Sequence, residues 1–435
     1  MFCRMTQASQ GLSRRAVLGG FAAACAASWP QAAPAAERMS VALEARPESV
    51  ALRSGRPPSP VWGLAGGSRV LRLARGAVLD LTLANGLSIP AALAGRGLAM
   101  AAPLLVQPAA GPGGRFTIAA AAARAGTGLL DLRLLGDGAA APIRPLAIVV
   151  DESPAVTADR DEVFLIEDFR LKSDGTAVAP GADARDAEII YTVNGEVQPD
   201  LALRAGARVR LRFINGCQRA VIAVKIAELE AARVMAIDGQ PAEPFLARNG
   251  AVVLPPGGRT DVFIDMPAKA PLPVLLHDGR DARPIARLTL SGEPPLRATP
   301  LPPAAALPAN GLPDKLDLRN AVRADIALDG ADWRIPVKFD ARAAPAFRAK
   351  AGRTVVLALA NKTAGTTVAH LHGQPFRLLD RLDDGWKPYW LDTLALEAGQ
   401  TQRIAFQAEA AGRFLIESMA TEWAAPRLLR WYEIG

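Results

Sequence analysis

The sequence predicts an all-β chain built as three consecutive β-sandwich domains. Three observations predict it. Gly and Pro supply 38 and 35 of the 435 residues, above the usual ~12% for the two together, which favours many short strands joined by turns. Apolar and polar residues alternate through runs such as Ala77-Val78-Leu79-Asp80-Leu81-Thr82-Leu83, the period of a half-buried strand. One pattern also occurs three times, at residues 74–85, 204–215 and 350–361. Each copy is a Gly turn, an alternating strand and a closing Asn (Asn85, Asn215, Asn361). Repetition at domain spacing argues for three related sandwiches.

The elements follow in order. Ser13-Arg14-Arg15 precedes the apolar run 16–27 and the small-residue stretch Ala33-Pro34-Ala35-Ala36. Residues 1–36 therefore read as a twin-arginine export signal, a receptor-read address. An apolar run this short cannot cross a bilayer, which needs ~20 residues, and no later segment is long and apolar enough to be a transmembrane segment. Domain 1 spans 38–150, with Asn85-Gly86 as a turn between strand-like runs. Domain 2 spans 155–293, opening on Val163-Phe164-Leu165-Ile166 and closing on Arg287-Leu288-Thr289-Leu290. Residues 294–316 hold Pro294, Pro295, Pro300, Pro302, Pro303 and Pro308 and read as a stiff linker. Domain 3 spans 317–435. Helical signal is weak throughout, with residues 227–236 as a short exception.

Composition excludes several function classes. The chain has three histidines, His277, His370 and His372, and three cysteines, Cys3, Cys25 and Cys217. That rules out paired CxxC zinc sites, a disulfide framework and an iron–sulfur cluster. Loss of the signal removes Arg4, Arg14 and Arg15 with no acid, taking the formal charge from +7 to about +4. No arginine-rich stretch interleaves with aromatics, so nucleic acid is not a predicted partner. Neither a Gly-x-Ser-x-Gly elbow nor a phosphate loop is present.

Further motifs are more specific. Val193-Asn194-Gly195 precedes the second repeat, and Ile237-Asp238-Gly239 and Pro256-Gly257-Gly258-Arg259-Thr260-Asp261-Val262 follow it. Domain 3 adds His370-Leu371-His372-Gly373, Asp392-Thr393 and Gly412-Arg413-Phe414-Leu415. In this order and spacing they resemble the three-domain multicopper oxidases over nearly all of the chain after the signal. The resemblance implies three cupredoxin-like Greek-key domains. It also implies four coppers held by ten histidines and a cysteine: a type 1 copper that accepts electrons, and a trinuclear cluster that reduces dioxygen.

Three histidines cannot fill ten places. Where the family has its first His-x-His-Gly, this chain reads Ala94-Gly95-Arg96-Gly97, and at the second it reads Asp131-Leu132-Arg133. Arginine, permanently protonated, ligates no metal. The third motif keeps His370 and His372 but has Thr367 at the type 1 histidine. The last motif offers Glu417-Ser418-Met419, then Trp423 and Leu428. Serine thus replaces the type 1 thiolate, and a neutral hydroxyl is a poor copper ligand.

The resemblance, read with these departures, implies no catalytic residues and no bound cofactor. At most it allows one vestigial copper at His370 and His372, with Glu417 or Met419 as a third donor. Strand spacing aims the two imidazoles to one side. The reading that suits them better is a buried polar cluster at the domain 1–3 contact, facing Asp131 and Arg133. His277 reads as a surface turn residue and Cys217 as a buried small apolar one. Trp386, Trp390 and Trp423 read as core or as a partner face. Within the superfamily the chain most resembles the SufI (FtsP) group. That implies a periplasmic, non-catalytic interaction protein with envelope or cell-division partners, carried by the twin-arginine export machinery. Two other functions fit the residues: a divergent copper-dependent oxidoreductase using His370 and His372, and a small-molecule binder with its pocket between domains 1 and 3.

Overall fold

The computed structural model describes residues 38–65, 69–100, 110–134, 140–229, 231–380 and 385–435. The export signal predicted at residues 1–36 lies outside them. Strands between Arg38 and Val150 form a six-stranded and a four-stranded sheet. Those between Arg160 and Leu290 form sheets of seven and five, and those between Val322 and Ile434 sheets of four and five. Each pair encloses its own apolar core. This is the expected all-β architecture of three sandwiches.

The threefold repeat occupies one structural position three times. Val78–Asn85, Arg208–Asn215 and Thr354–Ala360 each pair in parallel with the opening strand of their sandwich, and antiparallel with a later one. The closing asparagine explains why the pattern ends as it does. Asn85, Asn215 and Asn361 are all buried. Each Oδ1 accepts the backbone N–H two residues on, from Leu87, Cys217 and Thr363. Each Nδ2 donates across the sandwich, to Ala110 O, Leu254 O and Leu396 O at 2.8–2.9 Å. A short amide side chain that makes its own turn while serving two sheets is what this corner requires.

The described residues of 227–236 form no helix. Arg233–Ile237 is a strand paired with both Gln240–Leu246 and Arg259–Asp265. The weak helical propensity of an alanine-rich stretch yields to ladder bonds on two sides. The proline-rich stretch forms no strand, yet it is anchored. Leu307 packs on Met235 and Phe263, and Asn310 exchanges hydrogen bonds with both N and O of Ala125.

Arginine and carboxylate clusters are buried between the sandwiches. Arg210 and Arg212 share Asp261, reach Glu152 and Asp161, and meet Thr127 Oγ1 from the first sandwich. Arg144 grips Glu167 through two bonds of 2.7 Å, both residues buried. Close backbone approach completes this contact. A Cβ on Gly239 would lie 2.7 Å from Thr127 O, at a φ of +74° that already favours glycine.

Candidate functional site

The strand Thr367–Leu371 runs through the third sandwich between Thr393–Leu396 and Gly412–Ala420. Its register sets Val368 opposite Met419 and His370 opposite Glu417. Those residues point to the sheet face turned towards the first two sandwiches, while Ala369 and Leu371 enter the core. His372 continues the outward row, so the two imidazoles meet edge to face, their centroids 4.4 Å apart.

The two rings have different partners. His370 Nδ1 lies 2.9 Å from the carbonyl oxygen of Asp392 and 3.0 Å from Thr393 Oγ1. A carbonyl only accepts, so the proton is on Nδ1. Nε2 of the same ring is buried without a hydrogen-bond partner. Burial, then Arg96, then His372 hold the His370 pKa well below the ordinary imidazole value, and the ring is neutral. His372 Nε2 lies 2.5 Å from Glu417 Oε1, and Glu417 Oε2 accepts from Arg427 at 3.0 Å. Tyr432 donates its hydroxyl to the His372 carbonyl.

Beside this row stands a three-sandwich junction. Arg259, fully buried, donates twice to Asp392 at 2.9 and 2.7 Å and to the carbonyls of Asp238 and Thr127. Asp238 in turn accepts the backbone N–H groups of Arg259, Asp392 and Thr393. Burial pushes the Asp392 carboxyl up, but Arg259, with Arg96 adding to it, pulls it below the ordinary range. Asp238 goes the other way. Burial and then the neighbouring Asp392 charge raise it to about 6 against the pull of Arg259.

The remaining sequence-selected residues have defined surroundings. Arg96 is buried and donates to Pro256 O at 3.0 Å. Met419 Sδ lies 3.3 Å from Arg219 Nη1, so its sulfur faces a guanidinium. Ser418 points inward and donates to Leu328 O. Thr367 donates to Asn361 Oδ1 at 3.3 Å, and the Trp423 indole donates to Ala179 O of the second sandwich at 3.0 Å. Trp390 and Trp423 are buried. Cys217 is buried and its thiol pKa is pushed up by burial first, away from nucleophilic character. His277 is exposed and its Nδ1 accepts the Gly279 N–H. The Arg133 side chain lies outside the described residues. Arg427 was not selected from the sequence, because it aligns with no ligand; its signal was only one charged residue in a terminal strand that also carries Arg430 and Glu433.

These donors do not fit the family's copper centres. Of the two imidazoles, His372 already shares its Nε2 with Glu417, whose second oxygen is held by Arg427. At the type 1 position, a serine, a threonine and an indole all spend their polar atoms on protein acceptors.

Comparison with known proteins agrees with the fold. Residues 311–434 match the family model described as multicopper oxidase. Among solved structures, a multi-copper oxidase from Pseudomonas thermotolerans aligns with TM-score 0.77 and 23% identity, over 92% of this chain and all of that one. Lac15 from a marine microbial metagenome aligns at 0.73 and 24%, over 90% and 99% of the two chains. The laccase-like multi-copper oxidase CueO of an Ochrobactrum species aligns at 0.74 and 18%, over 92% and 99%. A comparison with curated protein sequences gives no match. Residues 311–434 thus belong to the multicopper oxidase family, and the described chain as a whole carries that family's cupredoxin-domain fold.

Proposed function

We propose that this chain is a multicopper-oxidase fold that works without the family's coppers, as an exported periplasmic interaction protein with envelope or cell-division partners. One observation supports it above the rest. Where the family gathers imidazoles, this chain has an ion cluster of its own, with Glu417 between His372 and Arg427 and with the Arg96 cation beside His370. Guanidinium groups are fixed cations with directional donors. They neutralise buried carboxylates as a metal would, but they accept no electrons. A protein so built keeps its domains locked together and offers surfaces rather than chemistry. The division role is drawn from resemblance to the SufI (FtsP) group, and function follows from sites rather than folds.

Deletion of the gene in its host, followed by complementation, tests this reading. A His370→Ala/His372→Ala variant should restore septation and envelope integrity as the parent does. Failure of that variant, despite normal folding and export, would favour the second reading, a reduced metal site. The neutral Nε2 of His370 supports that alternative, since a neutral imidazole is a metal ligand.

A further inference from the structure

A cleft of about 310 Å³ opens between the first and third sandwiches, with Asp238 and Gln240 of the second at its edge. Its size is at the lower end of the roughly 300–1,000 Å³ of small-molecule sites. The walls include Leu98, Pro375 and the ring of Phe414. Charged groups on the walls have partners: Arg124 pairs with Glu409 at 2.6 Å, Asp392 with Arg259 at 2.7 Å, and Arg96 donates to Pro256 O at 3.0 Å. Two polar atoms on its lining residues have no partner. His370, 4% exposed, has an unprotonated Nε2 and Arg124 an Nε–H, both of them buried. Buried polar atoms are almost always satisfied, so an orphan acceptor and an orphan donor on one cleft call for an occupant.

We propose that this cleft binds a small uncharged molecule of carboxamide type, which donates an N–H to His370 Nε2 and offers its carbonyl oxygen to Arg124 Nε. Paired charges along the walls disfavour an ionic ligand, because its charge would be desolvated without compensation. The Phe414 ring on the wall suits an aromatic or planar body. The inference rests on the copper-free reading, because a metal at His370 would use the same lone pair.

Benzamide and N,N-dimethylbenzamide are the probes. The second keeps the carbonyl and lacks the N–H. With three histidines in the chain, nitrogen-15 spectra of the imidazoles are sparse enough to follow each ring in the intact exported protein. Benzamide should move the His370 Nε2 resonance in the direction of hydrogen-bond acceptance and leave His277 unmoved. N,N-dimethylbenzamide should bind at least tenfold more weakly. Ala410→Trp, at an exposed position on the cleft, should abolish the shift with the melting temperature unchanged. The proposal is overturned if benzamide moves nothing, which leaves the cleft to water, if both probes bind alike, or if Ala410→Trp binds as the parent does. Metal analysis of the same sample separates the two readings. No metal and no benzamide binding defeats this inference alone, whereas one metal per chain that disappears in His370→Ala defeats the copper-free reading as well.

Discussion

Replacing Arg259 by Met removes the cation on which all three sandwiches converge. The guanidinium is fully buried. It holds Asp392 through bonds of 2.9 and 2.7 Å, lies 3.5 Å from Asp238 Oδ1, and donates to the carbonyls of Asp238, Gly257 and Thr127. A methionine fills most of the volume but leaves two carboxylates, 14% and 4% exposed, without their counterion. Breaking a buried pair in this way costs about 3–5 kcal/mol. Carbonyls left without a donor add about 1 kcal/mol each where no water enters. A loss of about 5 kcal/mol is expected, on the order of a third to all of a typical domain's stability. Arg259→Lys keeps the charge but not the fork, so about half that loss is expected. Urea unfolding at pH 7, followed by tryptophan fluorescence, gives both values. Adding Asp392→Asn to Arg259→Met should recover more than half of the deficit, since it removes the stranded charge. A loss below about 1 kcal/mol for Arg259→Met, or an additive double mutant, would refute the claim that this junction is an electrostatic lock.

Arg427→Met should destabilise by about 3 kcal/mol by stranding Glu417, and Arg427→Met with Glu417→Gln should regain most of it; equal losses in unfolding free energy would contradict the pairing. Asp238, raised to about 6 by burial and by Asp392 against the pull of Arg259, takes up a proton in the folded chain as pH falls from 7 to 5. The unfolded carboxyl waits until about 3.9, so this group adds up to about 1.4 kcal/mol of stability per unit on the way down. His370 acts oppositely. Its folded pKa is depressed by burial, Arg96 and His372, so stability falls below about 6.5 as the unfolded ring alone is protonated. The wild-type urea midpoint should therefore change little between pH 6 and 5, and His370→Gln should uncover a rise; a fall in that variant would reject the assignment. Export through the twin-arginine route predicts that Arg14→Lys/Arg15→Lys leaves the chain in the cytoplasm on fractionation, while an unchanged periplasmic fraction would exclude that route.

What the sequence made legible was local. A Gly turn, an alternating run and an asparagine identify a corner wherever they occur, because Asn85, Asn215 and Asn361 make their turns with neighbours in the chain. The same-face placement of His370 and His372 followed from strand period alone. The ion clusters were not legible, since their members are far apart: Arg259 and Asp392 are separated by 133 positions, and Arg212 and Thr127 by 85. Alternation through Arg208–Asn215 marks Arg210 and Arg212 as the polar face of a strand, yet both are almost wholly buried. A second sandwich covers that face, and one strand's period carries no information about what packs upon it. Met419 was a candidate third donor beside the histidines because it shares their face with Glu417. That Arg219 approaches its sulfur is set by a residue 200 positions away.

Metal content tests the central claim most directly. The protein should be expressed in copper-replete cells, purified, dialysed, and analysed by mass spectrometry for copper and zinc per chain. An architecture held together by Arg96, Arg259 and Arg427 in place of metal predicts less than about 0.1 metal per chain, and no change in unfolding midpoint with copper or with chelator. About one copper or zinc per chain, lost in His370→Ala/His372→Ala, would contradict it.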